Sequence, residues 1–343
     1  MRLKEFIKKN GYFLIAEAGC NHEGSLDNAI QMVREASKTK AHAIKFQSFT
    51  KDTLFATEEY TKTLSLDKNA LDAVDNITFK KEWYKPLIEE CKKNNIIFMS
   101  TPFSLEAVDD MEHNDVAIYK IASCDIDNLP LLERLAKTKK PIIISTGLAL
   151  NKDIKRALSI LKRNEVALLH CSVQYPTPLE IARLNRIKVL RKIFKKNIIG
   201  YSDHTIGIEA PKIAFTLGAK IIEKHFTITP EKKEGDHIIS LSPDEMKALS
   251  YSLDGIKDML GDATSLKKEH ILSEQEKKEL VFAKRAIYLT HNMEAGMIVN
   301  ENDLIALRPN VGISAKDYKS IIGKKLKVNK NAYTALSLKD FEK

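Results

Sequence analysis

Eight short runs of apolar and β-branched residues recur between longer segments of helical spacing, and this alternation limits the fold more than any other feature of the chain. The runs are Phe13 to Glu17, Ala43 to Gln47, Ile96 to Ser100, Ala117 to Ser123, Pro141 to Thr146, Ala167 to Cys171, Ile198 to Ser202 and Ile221 to His225. Each is too short and too sharply bounded for a buried helix. Between them, Leu26, Ala29, Ile30, Val33 and Ala36 share one helical face, as do Ile154, Ala157, Leu158 and Leu161. Repeated βα units build a parallel sheet, and eight strands close it into a ring. The expected class is α/β, a TIM (β/α)8 barrel over residues 1–262.

Local signals mark the ends of elements. Ser242-Pro243-Asp244-Glu245 supplies an N-cap hydroxyl, a proline at the first helical position and a reciprocal glutamate, opening a helix that runs through Leu249, Leu253, Ile256 and Leu260. Gly218 sits where a C-terminal cap belongs, just before the eighth run. The longest connection, Thr50 to about Thr78, is long enough for a lid or insert. After Gly261 the chain turns polar, and residues 263–281 read as a linker. Beyond it, Ala286 to Leu289, Met297 to Val299, Ile305 to Arg308 and Ala332 to Leu336 alternate with turns, so residues 282–343 form a small, mainly β domain. Its thin core gains from docking on something larger. A length of 343 residues suits two such domains.

Lys and Arg number 55 against 46 Asp and Glu, a formal charge of +9. The excess lies in helical stretches such as Lys152 to Arg163 and Arg186 to Lys196, and reads as solvated helix faces; no nucleic-acid partner is expected. The same balance suits a small anionic substrate. Cys20, Cys91, Cys124 and Cys171 form no CxxC pair, which argues against a zinc knuckle or a disulfide framework and for reduced thiols in the cytoplasm. No apolar run approaches the ~18 residues of a membrane helix. Arg2, Lys4, Lys8 and Lys9 before Tyr12 to Ala16 and Ala18-Gly19-Cys20 imitate a lipoprotein signal, but the apolar stretch is too short and Glu17 follows it directly.

In a parallel barrel the strand C-termini carry the active site. Here those ends hold Glu17, Lys45, Gln47, Ser100, Thr101, Lys120, Ser123, Ser145, Thr146, His170, Ser202, Asp203, His204, Lys224 and His225. Lys45 and Lys120 interrupt apolar strands and need an anion. Either an internal acid such as Glu17 or Glu223 supplies it, or a ligand bearing phosphate and carboxylate does, with Thr101, Ser123, Ser145 and Ser202 adding neutral donors. His204 and His225 end adjacent strands, so closure brings two imidazoles together as candidate ligands for a divalent ion that polarises a carbonyl. Glu17 is placed to orient a hydroxyl or water, or to move a proton. Asp125 and Asp236 are candidates for polyol hydroxyls, and Tyr175 for an amphipathic wall.

Glu17-Ala18-Gly19-Cys20-Asn21-His22-Glu23-Gly24, Lys45-Phe46-Gln47, Ser100-Thr101-Pro102-Phe103, Ser145-Thr146-Gly147, Tyr175-Pro176-Thr177-Pro178, Tyr201-Ser202-Asp203-His204-Thr205 and Glu223-Lys224-His225-Phe226-Thr227 together resemble the sialic acid synthase family. Arg308-Pro309 and the stretch around Gly323-Lys324-Lys325 look like that family's C-terminal antifreeze-like (SAF, β-clip) domain, similar to type III antifreeze protein. The resemblance implies a transferase that condenses phosphoenolpyruvate with the open-chain aldehyde of an N-acylated hexosamine and water, giving a nine-carbon 2-keto acid and phosphate. It implies that Lys45, Thr101, Lys120, Ser123, Ser145 and Ser202 hold phosphoenolpyruvate. It gives His204 and His225 a divalent metal, manganese first, with magnesium or cobalt as alternatives. Glu17, Gln47, Asp125, Tyr175 and Asp236 would face the sugar, joined by Phe282 and Arg308. In this reading the catalytic set is Glu17, Lys45, Lys120, His204 and His225. It further implies a domain-swapped homodimer in which each small domain covers the partner's barrel mouth.

The chain departs from the pattern of N-acetylneuraminate synthases in two places. Cys124 and Asp125 replace a typical glycine and glutamate, and an asparagine is expected near Val173. The acceptor is therefore either N-acetylmannosamine or a 2,4-diacetamido or GDP-linked relative used for a bacterial surface glycan. Two other readings compete: a synthase of the eight-carbon lipopolysaccharide keto acid on the same barrel, and a noncatalytic carbohydrate- or ice-binding protein.

Overall fold

The computed structural model describes residues 2–67, 69, 71–261 and 272–342. Strands β1 (Phe13–Gly19), β2 (Ala43–Ser48), β3 (Ile97–Pro102), β4 (Tyr119–Ile121), β5 (Ile142–Ser145), β6 (Val166–His170), β7 (Ile198–Asp203) and β8 (Ile221–His225) close in sequence order into an all-parallel barrel. The eight expected runs are these strands. The fourth is shorter than its run, because Ser123–Asp125 leaves the sheet as a 3-10 turn.

Successive strand residues alternate between the inside of the barrel and the layer under the helices. Below the rim the interior is filled by Phe13, Ile15, Ala43, Met99, Ile118, Ile143, Ala167, Leu169 and Ile221. A helix over Leu3–Asn10 joins this cluster with Leu3 and Ile7, closing the barrel floor. Its first turn is anchored by Glu165, whose carboxylate accepts from Leu3 N at 2.8 Å and Lys4 N at 2.7 Å. Burying two such aliphatic side chains is worth about 1.5–3 kcal/mol each. A larger apolar layer between strands and helices includes Leu14, Ile44, Phe46, Phe98, Ile142 and Leu168.

The long connection after β2 folds into helices Lys51–Leu54 and Thr57–Thr63 and a 3-10 turn, Asp72–Ile77. Lys51 ties it together through Asp75 (2.8 Å) and Asp72 (3.2 Å). It packs so closely on the loop after β1 that a Cβ on Gly24, at φ +68°, would lie 2.1 Å from the Asn76 carbonyl oxygen. Only glycine fits there.

The chain divides into two compact units, Met1–Gly261 and Asp262–Lys343. Part of the expected linker, residues 263–271, lies outside the described residues. The rest is not extended: Glu274–Ala283 is a helix, opened by a capping box between Ser273 and Glu276 and built from strong helix formers. In the small unit β9 (Ala286–Leu289) and β10 (Leu304–Leu307) pair antiparallel. The segments Met297 to Val299 and Ala332 to Leu336 contribute single bridges, Ile298 to Lys325 and Tyr288 to Ala335, where longer strands were expected. Among the described residues no helix is long and apolar enough to cross a membrane.

Candidate active site

The strand register sets the site. Glu17 lies level with Lys45 on β2 and His225 on β8, and Ser202 on β7 lies level with Glu223 on β8. With the apolar layers filling the lower barrel, these polar side chains meet at the C-terminal rim around a cavity of about 350 Å³. Glu17, Lys45, Gln47, Thr101, Lys120, Ser123, Ser145, Tyr175, Ser202, His204, His225 and Asp236 all line it.

Asp125 does not. The 3-10 turn after β4 brings Cys124 to the cavity instead, while the Asp125 carboxylate accepts Asn128 Nδ2 at 3.1 Å. The other polar strand-end residues serve the outer layer, as the two-residue period requires. Ser100 Oγ meets Ser48 Oγ at 2.7 Å, Thr146 Oγ1 donates to the Leu169 carbonyl, and His170 Nε2 donates to the Ala182 carbonyl. Phe282 and Arg308 belong to the small unit, both exposed, the first in the helix Glu274–Ala283 and the second directly after β10.

Four charged groups are buried together in the rim. Lys45 Nζ lies 2.6 Å from Glu17, 3.2 Å from Thr101 Oγ1 and 3.7 Å from Glu223. Lys120 Nζ donates to Ser145 Oγ at 2.7 Å and to the Ile121 carbonyl at 3.1 Å, and stands 3.8 Å from Glu223. Ser202 Oγ donates to Glu223 at 2.9 Å, and Gln47 Nε2 to Glu17 at 2.9 Å. Glu223 is thus the acid shared by both lysines. It belongs among the site residues, and its position two before His225 on the same strand is the signal that points to it.

Burial raises the pKa of Glu17, against the pull of Lys45 and with the push of the Glu223 charge. Burial also opposes ionisation of Glu223, but Lys120 and Lys45 outweigh it and hold that carboxyl low. Desolvation lowers Lys120; the same cost at Lys45 is overcome by Glu17 and Glu223, which raise it. The rim therefore contains one firmly ionised acid, Glu223, and one acid, Glu17, that takes up a proton readily.

The two imidazoles stand side by side with ring centroids 5.5 Å apart, and the Tyr175 ring covers His204 at 4.1 Å. His204 Nδ1 lies 2.6 Å from the Ser172 carbonyl oxygen, so it carries the proton and leaves Nε2 with a free lone pair. His225 Nδ1 is buried without a hydrogen bond, 3.4 Å from Asp236 Oδ2. Burial keeps both rings neutral, lowering His204 to about 4 and His225 to about 3, helped by His225 and Lys45 respectively. Two neutral imidazoles, one orphaned nitrogen and a backbone-fixed tautomer fit a divalent ion with two protein ligands and open positions. Among the described residues no group of three or more His, Cys, Asp or Glu could hold a metal.

Residues 32–265 match the NeuB family, and residues 284–342 match the SAF domain. The chain belongs to the NeuB family. An N,N'-diacetyllegionaminic acid synthase of Campylobacter jejuni is 38% identical over 91% of this chain and 94% of its own length. A pseudaminic acid synthase of the same organism is 32% identical over the full length of both chains. Among solved structures, the N-acetylneuraminic acid (sialic acid) synthetase of Leptospira borgpetersenii in complex with citrate is 37% identical, covers 78% of this chain and 90% of its own, and has a TM-score of 0.69. These relatives are named for different sialic-type acids, so the family places this chain among the nonulosonic acid synthases without fixing one sugar.

Proposed function

We propose that the enzyme condenses phosphoenolpyruvate with the open-chain form of a modified N-acylated hexosamine, a 2,4-diacetamido sugar, to give a nine-carbon 2-keto acid and phosphate. The observation that carries this reading is the shared acid: Lys45 and Lys120 flank Glu223 inside one cavity with two neutral imidazoles. Two ammonium groups and the hydroxyls of Thr101, Ser123, Ser145 and Ser202 suit the phosphate and carboxylate of one compact anion.

When bound at His204 and His225, a divalent ion such as manganese supplies Lewis-acid polarisation of the aldehyde. The chain does the rest. Lys45 and Lys120 neutralise the phosphoenolpyruvate charges and orient its C3 toward the aldehyde carbon, where the new C–C bond forms. Water adds at C2, and the C2–O bond to phosphate then breaks as the new C2 hydroxyl gives its proton to the departing phosphate, leaving the ketone. Glu17, held by Gln47 and Lys45 and protonated when phosphoenolpyruvate enters, gives its proton to the aldehyde oxygen as that becomes a hydroxyl, and the carboxylate so formed takes the proton that the attacking water loses. Asp236 faces the acceptor, and Tyr175 shields His204 from bulk water.

The modified sugar is favoured by the cavity wall, where Phe103, Ala122, Cys124, Leu148 and Val173 offer few hydrogen-bond partners. Such a wall suits methyl and acyl groups better than hydroxyls. An eight-carbon synthase would need a cluster of cations for the distal phosphate of its pentose, and among the described residues of this chain the cavity is lined by two lysines, Lys45 and Lys120, and no arginine. The working unit in this proposal is a cytoplasmic homodimer, with Phe282 and Arg308 supplied by the partner's small domain.

The test is an incubation with phosphoenolpyruvate, manganese and separate acceptors, with phosphate release followed and products identified by mass. A 2,4-diacetamido deoxyhexose should outperform N-acetylmannosamine and a phosphorylated pentose. Equal use of N-acetylmannosamine overturns the modified-sugar assignment; no phosphate release with any acceptor overturns the reaction.

A further inference from the structure

The last residue of β7, Asp203, and its register partner on β8, Lys224, are paired at 2.8 Å on the outside of the barrel, and neither side chain has any exposed surface. The carboxylate is fully occupied. One oxygen accepts Tyr201 Oη–H at 2.8 Å and Thr205 N–H at 3.0 Å; the other accepts Thr205 Oγ1–H at 3.1 Å and the Lys224 ammonium. Lys224 also donates to the Thr205 carbonyl.

A buried ion pair is a poor source of stability, because desolvating two charges offsets most of their attraction and an apolar pair of similar size often does as well or better. Its position is more informative. Asp203 is the peptide neighbour of His204, and Lys224 of His225. Since side chains alternate across a strand, the pair on the outer face and the two imidazoles on the inner face belong to the same two backbone segments. Among the described residues the turn leaving β7 pairs with no further strand; its backbone is held to β8 through Asp203, Thr205 and Lys224, and to the loop after β6 by Thr177 N–H donating to the His204 carbonyl at 2.8 Å.

We infer that Asp203 and Lys224 are positioning residues, an outer-face clamp that sets the separation of His204 and His225 and so the affinity for a divalent cation. The inference rests on the two-histidine reading above and goes beyond it by assigning that affinity to groups that never touch the ion. Outer groups that orient metal ligands typically matter by about 10–100-fold in metal affinity.

The test measures manganese binding by calorimetry or electron paramagnetic resonance on the full-length protein, together with its melting temperature. Three variants are compared: Lys224→Met, the double variant Asp203→Asn with Lys224→Met, and Tyr201→Phe, which removes one hydrogen bond without stranding a charge. Lys224→Met should weaken manganese binding by about 10-fold or more. The double variant, with no unpaired buried charge, should regain melting temperature yet keep the weakened affinity. Tyr201→Phe, which strands no buried charge, should weaken manganese by about 2- to 5-fold, less than those effects because a single hydrogen bond is lost. Wild-type affinity in the double variant and in Tyr201→Phe overturns the clamp and makes the pair merely structural. A wild-type protein that fails to bind manganese, with or without phosphoenolpyruvate, overturns the two-histidine reading and the clamp with it.

Discussion

Glu17 and Lys45 face each other at 2.6 Å inside the barrel, and Lys45 is shared with Glu223 at 3.7 Å. The two lysines of the rim are thus balanced by two carboxylates before any ligand arrives. A multiply charged anion entering between them repels both acids, and the one that yields is Glu17, whose pKa burial already raises. Phosphoenolpyruvate binding at pH 8 should therefore take up about one proton per site. Calorimetry in buffers of different ionisation enthalpy reads this directly. Glu17→Gln should abolish the uptake, and uptake that persists in that variant assigns the proton elsewhere.

Val173 lies on the apolar wall of the cavity, half open to solvent. Val173→Asn adds a hydrogen-bonding amide where an acceptor hydroxyl can reach it. The ratio of kcat/KM for N-acetylmannosamine over a 2,4-diacetamido deoxyhexose should rise by about 10-fold, the scale of one well-placed polar contact. An unchanged ratio would show that this wall does not read the acceptor.

His42 governs part of the acid stability. Its Nδ1 accepts the Leu14 N–H at 2.9 Å among the rings of Phe6, Tyr12 and Phe13, and burial lowers its pKa to about 4. A depressed pKa means that the folded state rejects a proton the unfolded chain accepts. The stability is complete above the unfolded value of 6.5 and drains away as pH falls toward 4, by on the order of 3 kcal/mol. Urea midpoints at pH 7 and pH 4.5 should separate more in the wild type than in His42→Asn, whose side-chain oxygen can replace Nδ1. Equal separations would refute the assignment.

If partner subunits complete each other's sites, two inactive variants should rescue one another. Arg308→Ala disables the donated residue and Lys120→Met the receiving barrel. Equal amounts unfolded and reassembled together should recover about a quarter of wild-type phosphate release, since half of the dimers are mixed and each has one intact site. No recovery, with dimers confirmed by light scattering, excludes the swapped arrangement.

The barrel was legible because its strands are short, apolar and bounded, so eight of them could be counted, and because polar residues at their ends recur at equivalent positions. The rim followed from the same alternation. What escaped did so for local reasons. Asp125 reads as a sugar-facing loop acid after the fourth strand and from the family resemblance, but the 3-10 turn Ser123–Asp125 brings Cys124 to the cavity in its place, which the spacing does not reveal. Glu223 reads in sequence as an internal partner for lysine; its position two before His225 puts it on the inner face, and the convergence of Lys45, Lys120 and Ser202 on it shows its place. The helix Glu274–Ala283 buries none of its residues, so it lacks an apolar stripe and only its capping box announces it.

Leu3 and Ile7 close the barrel floor, so the cavity lined by Lys45 and Lys120 lies on the opposite side, at the strand C-termini. In the proposed reaction phosphoenolpyruvate, deepest against Lys45 and Lys120, would then arrive before the sugar above it, and phosphate would leave after the keto acid that now contains both. Steady-state kinetics should accordingly be sequential and ordered, with phosphoenolpyruvate first, and a dead-end sugar analogue should trap the smaller molecule beneath it.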